Sequence, residues 1–207
     1  MSLWPHIRFF FLLKPEAIYD EEKPHASLAA ATAQFGLIGL NVLVMLLIQE
    51  ILQHGRADVT NTIIGFFVAD VVYNVLILMA ISTITYVAAK FFGGTASFAT
   101  HHYLTAAIML PVVFLISLLI LVNFDGNTSV TGLASGALVA YGGFLLFRTY
   151  KHAHGLGIGK TILLFALSGM LVLAMLYVLG TLDVFGAILS VIGRVFPAAE
   201  PVVNPYA

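Results

Sequence analysis

Four histidines and one aspartate are the side chains of this 207-residue chain best placed to do chemistry. His101 and His102 are adjacent, and His152 and His154 form a His-x-His pair further along. Imidazole ligates metals readily and titrates near neutrality, so the two pairs, brought together, could hold a metal ion or sense pH. The rival reading is four rings that are solvated or bonded to lipid headgroups. Neither segment contains a carboxylate, but Glu16, Asp20, Glu21 and Glu22 stand upstream and could approach. Asp70 is a different case. It lies inside an apolar run with Tyr73 and Asn74 at i+3 and i+4, so all three share a helix face. An ionisable group at membrane depth costs on the order of 3 kcal/mol on insertion scales and usually faces a bundle interior. One reading is an ion, proton or substrate site for a small transporter or channel. The other is a protonated or paired Asp that bonds neighbouring helices, preferred because no intramembrane Lys or Arg accompanies it. Asn41, Thr83 and Thr85 add further polar handles inside apolar runs.

Several chemistries are excluded or unsupported. With no cysteine, disulfides, thiolate metal sites and a cysteine nucleophile are ruled out. Ser82, Ser117 and Ser168 lie in apolar runs without a His or Asp at useful spacing, and His-Glu-x-x-His is absent. An intramembrane aspartyl protease needs two Asp residues at depth, and Asp70 and Asp183 do not match. The segment Gly155–Thr161 resembles a phosphate loop, but His154 stands where its first glycine belongs and no strand precedes it. The bland account is a turn capped by Thr161, with Lys160 at the headgroups. No enzyme and no cofactor are therefore expected. A net charge of -1 argues against a nucleic-acid partner.

The elements that must position these residues are membrane helices. Hydrophobic residues make up 60% of the chain and charged residues 9%, against about a quarter charged in soluble domains. A mean hydropathy of +1.02 makes the lipid bilayer the solvent for most of the chain. Apolar runs at Leu28–Gln49, Ile63–Ala89, Tyr103–Val122, Val130–Phe147 and Ile162–Gly180 are of the length a helix needs to cross, about 20 residues. The last could run on through Asp183–Val195. Strict two-residue alternation, which a membrane barrel needs, is absent. The expectation is an all-α polytopic bundle of five transmembrane helices spanning 28–196, after a 1–27 segment and before a 197–207 tail. Trp4, Ile7 and Phe11 recur at helical spacing, so Leu3–Leu13 reads as a short interfacial helix rather than a signal peptide. Gly132, Gly136, Ala140 and Gly143 form a stripe of small residues on the fourth span, expected to pack within the bundle rather than against a second copy. Seven of the nine Lys and Arg fall in the gaps of one side, which the positive-inside rule makes cytoplasmic along with the N-terminus; the C-terminus is then extracytoplasmic.

Three segments carry a family resemblance. Lys90–His102 reads Lys-Phe-Phe-Gly-Gly-Thr-Ala-Ser-Phe-Ala-Thr-His-His, with Gly93, Gly94, Ser97 and Phe98 as its core. Pro111 falls in the next span, and His154, Gly155 and Leu156 make a His-Gly-Leu step before the last one. Together with Leu13-Lys14-Pro15-Glu16, these resemble the Yip1 family of five-span membrane proteins, in order and spacing over nearly the whole chain. The resemblance implies a membrane organiser or adaptor with a cytoplasmic N-terminus, working with a membrane-protein partner or as a homo-oligomer. Eukaryotic members act in early secretory traffic with Rab-type GTPases. Their Asp-Leu-Tyr-Gly-Pro-like N-terminal motif is missing before the first span here. The chain resembles the short prokaryotic members, and a GTPase partner is not carried over.

Overall fold

The computed structural model describes residues 15–54, 59–122 and 128–182. A short helix α1 (Pro15–Glu22) leads through a single 3-10 turn into α2 (Leu28–His54). Then come α3 (Val59–Phe91), α4 (Phe98–Val122), α5 (Thr128–Ala153) and α6 (Ile158–Thr181). There is no strand among the described residues, and α2 to α6 are each long and apolar enough to cross a membrane. This is the expected five-span all-α bundle. The interfacial helix expected at Leu3–Leu13, the 197–207 tail and the continuation beyond Leu182 lie outside the described residues. So do Arg8, Lys14, Arg56 and Arg194 from the charge argument.

Side-chain caps decide where the helices begin. Ser27 Oγ accepts the Ala30 N–H (3.1 Å) at the start of α2, and Ser97 Oγ accepts the Thr100 N–H (3.1 Å) at the start of α4. The second cap corrects the expected span boundary. α4 begins five residues before Tyr103, so His101 and His102 belong to its first turns and not to a loop. α5 likewise continues to Ala153 and takes His152 into its last turn, leaving only His154 in the connection. The Gly155–Thr161 segment is a turn only as far as Gly157, and α6 begins at Ile158.

The five long helices close a ring. α4 packs between α2 and α5, α2 lies beside α3, and α3 meets α6, which returns to α5. At one end α4 is enclosed on every side: each residue from His101 to Ile108 is buried. Two glycines allow close crossings. A Cβ on Gly39 would lie 3.3 Å from the Val71 carbonyl oxygen and Cγ1, and one on Gly142 would lie 2.9 Å from Val112 Cγ2. The small-residue stripe does not serve that purpose, and here the expectation fails. Gly132, Gly136 and Ala140 are exposed, nothing lies within 4 Å of a Cβ placed on Gly132 or Gly136, and Leu133 beside them is 77% exposed. α5 turns inward the face carrying Leu138, Gly142, Leu145, Thr149 and Ala153, and a helix rotates about 200° over the two residues from Gly136 to Leu138. The stripe therefore faces outward.

Leucine at position 142 is expected to cost about 2 kcal/mol by overpacking against Val112, whereas leucine at 136 leaves stability unchanged. Thermal melts of the two variants in detergent check this.

Candidate functional site at the basic end of the bundle

α3 closes in a left-handed turn. Gly93 N–H donates to Lys90 O (2.9 Å) and Gly94 N–H to Ala89 O (2.8 Å), with Gly93 at φ +89°. α5 closes in the same way: Gly155 N–H donates to His152 O (3.1 Å), Leu156 N–H to Lys151 O (2.9 Å), and Gly155 has φ +63°. Both are Schellman caps, and both need a residue without a Cβ penalty at the left-handed position. The two turns are joined where Thr95 N–H donates to His154 O (3.1 Å). Gly94 lets them close. A Cβ there would lie 2.5 Å from His154 Nδ1 and 2.8 Å from the Ala89 carbonyl oxygen.

Beneath this junction runs a buried chain of polar side chains, and its proton directions can be deduced. Thr85 Oγ1 donates to Ser82 O (2.9 Å), so it can only accept from His101 Nε2, 2.9 Å away. In a neutral ring that leaves His101 Nδ1 as an acceptor, and the partner at 2.9 Å, His154 Nε2, must donate to it. A second branch is parallel. Thr105 Oγ1 donates to His101 O (2.7 Å) and therefore accepts from Tyr150 O–H (2.6 Å). The Tyr150 ring stacks on His101 at 4.4 Å between centroids, and Tyr86 meets the His101 ring edge-on at 5.6 Å. His102 faces elsewhere, with Nδ1 3.0 Å from Phe98 O and Nε2 3.2 Å from Thr83 Oγ1. Burial, with the Lys90 ammonium nearby, pushes the His154 pKa down to about 4. His154 is then neutral at physiological pH, its one ring proton on Nε2.

α1 seals the adjoining side. Tyr19 is buried against the bundle, and Glu22 accepts the Tyr103 O–H at 2.6 Å. Asp20 Oδ1 stands 3.7 Å from His152 Nε2, so one upstream carboxylate does reach a sequence-predicted histidine.

A family model, the Yip1 domain, matches residues 10–180. The chain belongs to the Yip1 domain family. No curated protein and no solved structure matches it. Several of the Yip1 motif residues read from the sequence have a structural task. Gly93 and Gly155 take the left-handed caps, Gly94 admits the His154 ring, and Ser97 caps α4. Phe98 packs its ring on His102, with centroids 3.9 Å apart. Pro111 sits in α4 without ending it, next to the Val112 that meets Gly142.

Of the four candidate histidines, only His101 and His154 hydrogen-bond to one another. His152 is turned to Asp20, and among the described residues no three His, Cys, Asp or Glu side chains converge as a metal site. Asn41 Nδ2 donates to Ser117 Oγ (2.9 Å), which makes it a bond between α2 and α4. Asp70 is carried by α3, but its side chain lies outside the described residues, whereas Tyr73 and Asn74 are half-buried on the same helix. Sequence reasoning missed Tyr150, Thr105 and the Glu22–Tyr103 pair. The one available signal was their clustering beside the histidines at helix ends.

Alanine at position 94 is expected to destabilise the fold by about 1–3 kcal/mol, because one contact of the new Cβ is rigid backbone. Acid should weaken the wild type through His154. The unfolded chain takes up a proton on this ring near pH 6.5 and the folded one only near pH 4, so stability contributed by His154 is complete above pH 6.5 and falls between pH 6.5 and pH 4. The decline in melting temperature over that window should be shallower in His154→Asn than in the wild type.

Proposed function

We propose that this Yip1-family protein is a membrane organiser or adaptor whose working surface is the rim of its basic end, facing the cytoplasm. The observation that carries the reading is the joining of the two glycine turns through Thr95 and His154. That junction ties His101 and the Nε2 of His154 into fixed internal hydrogen bonds. It leaves outside an exposed rim of Lys90, Phe91, Lys151, Ile158 and Lys160. Phe91 is 79% exposed at the end of a membrane helix, where an aromatic ring meets headgroups or a partner. A rigid rim of ammonium groups and apolar side chains suits an acidic, partly apolar surface of another membrane protein. The outward stripe of Gly132, Gly136 and Ala140 supports the same reading, because small residues let a partner helix approach closely in lipid. What supports this orientation is the positive-inside rule: Lys23, Lys90, Arg148, Lys151 and Lys160 all belong to this end.

A photo-crosslinking residue at position 91, introduced in native membranes, is expected to yield a discrete protein adduct. The adduct should be lost when Lys90 and Lys160 are both replaced by Glu, and should not form from position 173, which faces outward at mid-helix. Adducts to lipid alone from position 91 would refute the adaptor reading.

A further inference from the structure

We propose that His154 is an acid-operated latch between the two glycine turns: a second ring proton, taken at Nδ1, drives the ring from its seat against Gly94 and parts the turn after α3 from the turn after α5. The His154 ring is committed at one nitrogen only. Its Nε2 donates to His101 Nδ1 at 2.9 Å, and both nitrogens of His101 are then engaged, because His101 Nε2 donates to Thr85. His154 Nδ1 is buried and has no hydrogen-bond partner among the described residues. Of the ring nitrogens in this chain of bonds, it alone is free to take a proton.

The seat suits the bare nitrogen and not its protonated form. A Cβ on Gly94 would lie 2.5 Å from Nδ1, so the glycine's own C–H is aimed at that nitrogen, whose lone pair accepts it. A proton on Nδ1 would instead point into the same C–H and find no acceptor there. An unpaired donor carrying a charge is costly to bury. The groups packed around the ring do not offset that charge. α3 presents Tyr86, whose ring lies 6.4 Å from that of His154, and Lys90, whose ammonium stands 5.4 Å from the Tyr86 centroid. α4 presents His101. α5 presents Tyr150 at 6.1 Å between centroids, with Lys151 and His152 exposed just before His154. From α6, Lys160 Nζ lies 3.9 Å from the position a Cβ on Gly93 would take. These are phenols, imidazoles and ammonium groups.

Opening is local. The Thr95 N–H bond to His154 O is given up, while each turn keeps its own cap and Ala88 and Ala89 stay packed with Tyr150 and Leu156. Parting the turns separates Lys90 and Phe91 from Lys151, Ile158 and Lys160; that consequence for a partner rests on the adaptor reading, whereas the latch itself does not. Acid favours the open form because the ring titrates near pH 6.5 when released and only near pH 4 in its seat. The open population then rises about tenfold between roughly pH 7.5 and roughly pH 5.5.

The test is site-resolved amide exchange of the full-length protein in detergent, followed by NMR at those two pH values, with each rate divided by its intrinsic rate. The Thr95 amide is expected to lose about tenfold in protection in acid. Gly93 and Leu156, whose amides donate within their own turns, are expected to keep theirs. This comparison needs no variant. In His154→Asn the protection of Thr95 is expected to be the same at both pH values. Unchanged protection of Thr95 in the wild type, or equal loss at Thr95, Gly93 and Leu156, would overturn the latch. So would a pH dependence at Thr95 that survives in folded His154→Asn.

Discussion

Within a bilayer, apolar side chains gain little by leaving lipid for another helix, so contacts between polar side chains and close backbone approach decide which faces meet. In this chain the decisive contact is the buried hydrogen-bond chain from His154 through His101 to Thr85. It ties the end of α5 to α4, and α4 to α3, at the one level where α4 is enclosed on all sides. Without it the two left-handed turns would still form, since each is a local cap. Their contact would then rest on the Thr95–His154 backbone bond and on the packing of Ala88 and Ala89 with Tyr150 and Leu156. The close seat of Gly94 faces the His154 ring, which His101 holds in place.

The same interaction explains why the conspicuous histidines are not arranged as ligands. A metal ion needs unprotonated nitrogens converging on empty space, whereas His101 and His154 point a donor and an acceptor at each other. Neutrality is part of the design, and burial near Lys90 enforces it for His154. The polar capacity of this end is directed inward, and what remains on the outside is a rim of ammonium groups and apolar side chains. On the other flank α1 closes the structure by a different device, the Glu22 carboxylate at the end of α1 accepting the Tyr103 phenol of α4.

Much of the fold was legible in the sequence because the relevant signal is local. Apolar length alone marks a membrane helix, and five such lengths mark the bundle. The glycines at 93, 94 and 155 were legible as motif residues, and their conformations supply the reason. The boundaries were less legible. The apolar run of the third span begins at Tyr103, yet Ser97 caps the helix earlier, and capping is invisible to a hydropathy count. The stripe on α5 misled for a related reason. Small residues at four-residue spacing identify a helix face suited to close packing, but the direction of that face depends on Gly142, Leu145 and Thr149 opposite.

The sequence by itself determined the class, the number of spans and the residues of the two turns, since each follows from the composition of a continuous segment. It also set seven of the nine basic residues in alternate gaps. Only the tertiary structure decided that His101 meets His154 while His152 turns to Asp20, that Asn41 bonds Ser117, and that Glu22 reaches Tyr103. These pairs are far apart along the chain, and lipid-facing and partner-facing positions are equally apolar. No periodicity in the sequence tells one face from the other; the meeting of a few polar groups does.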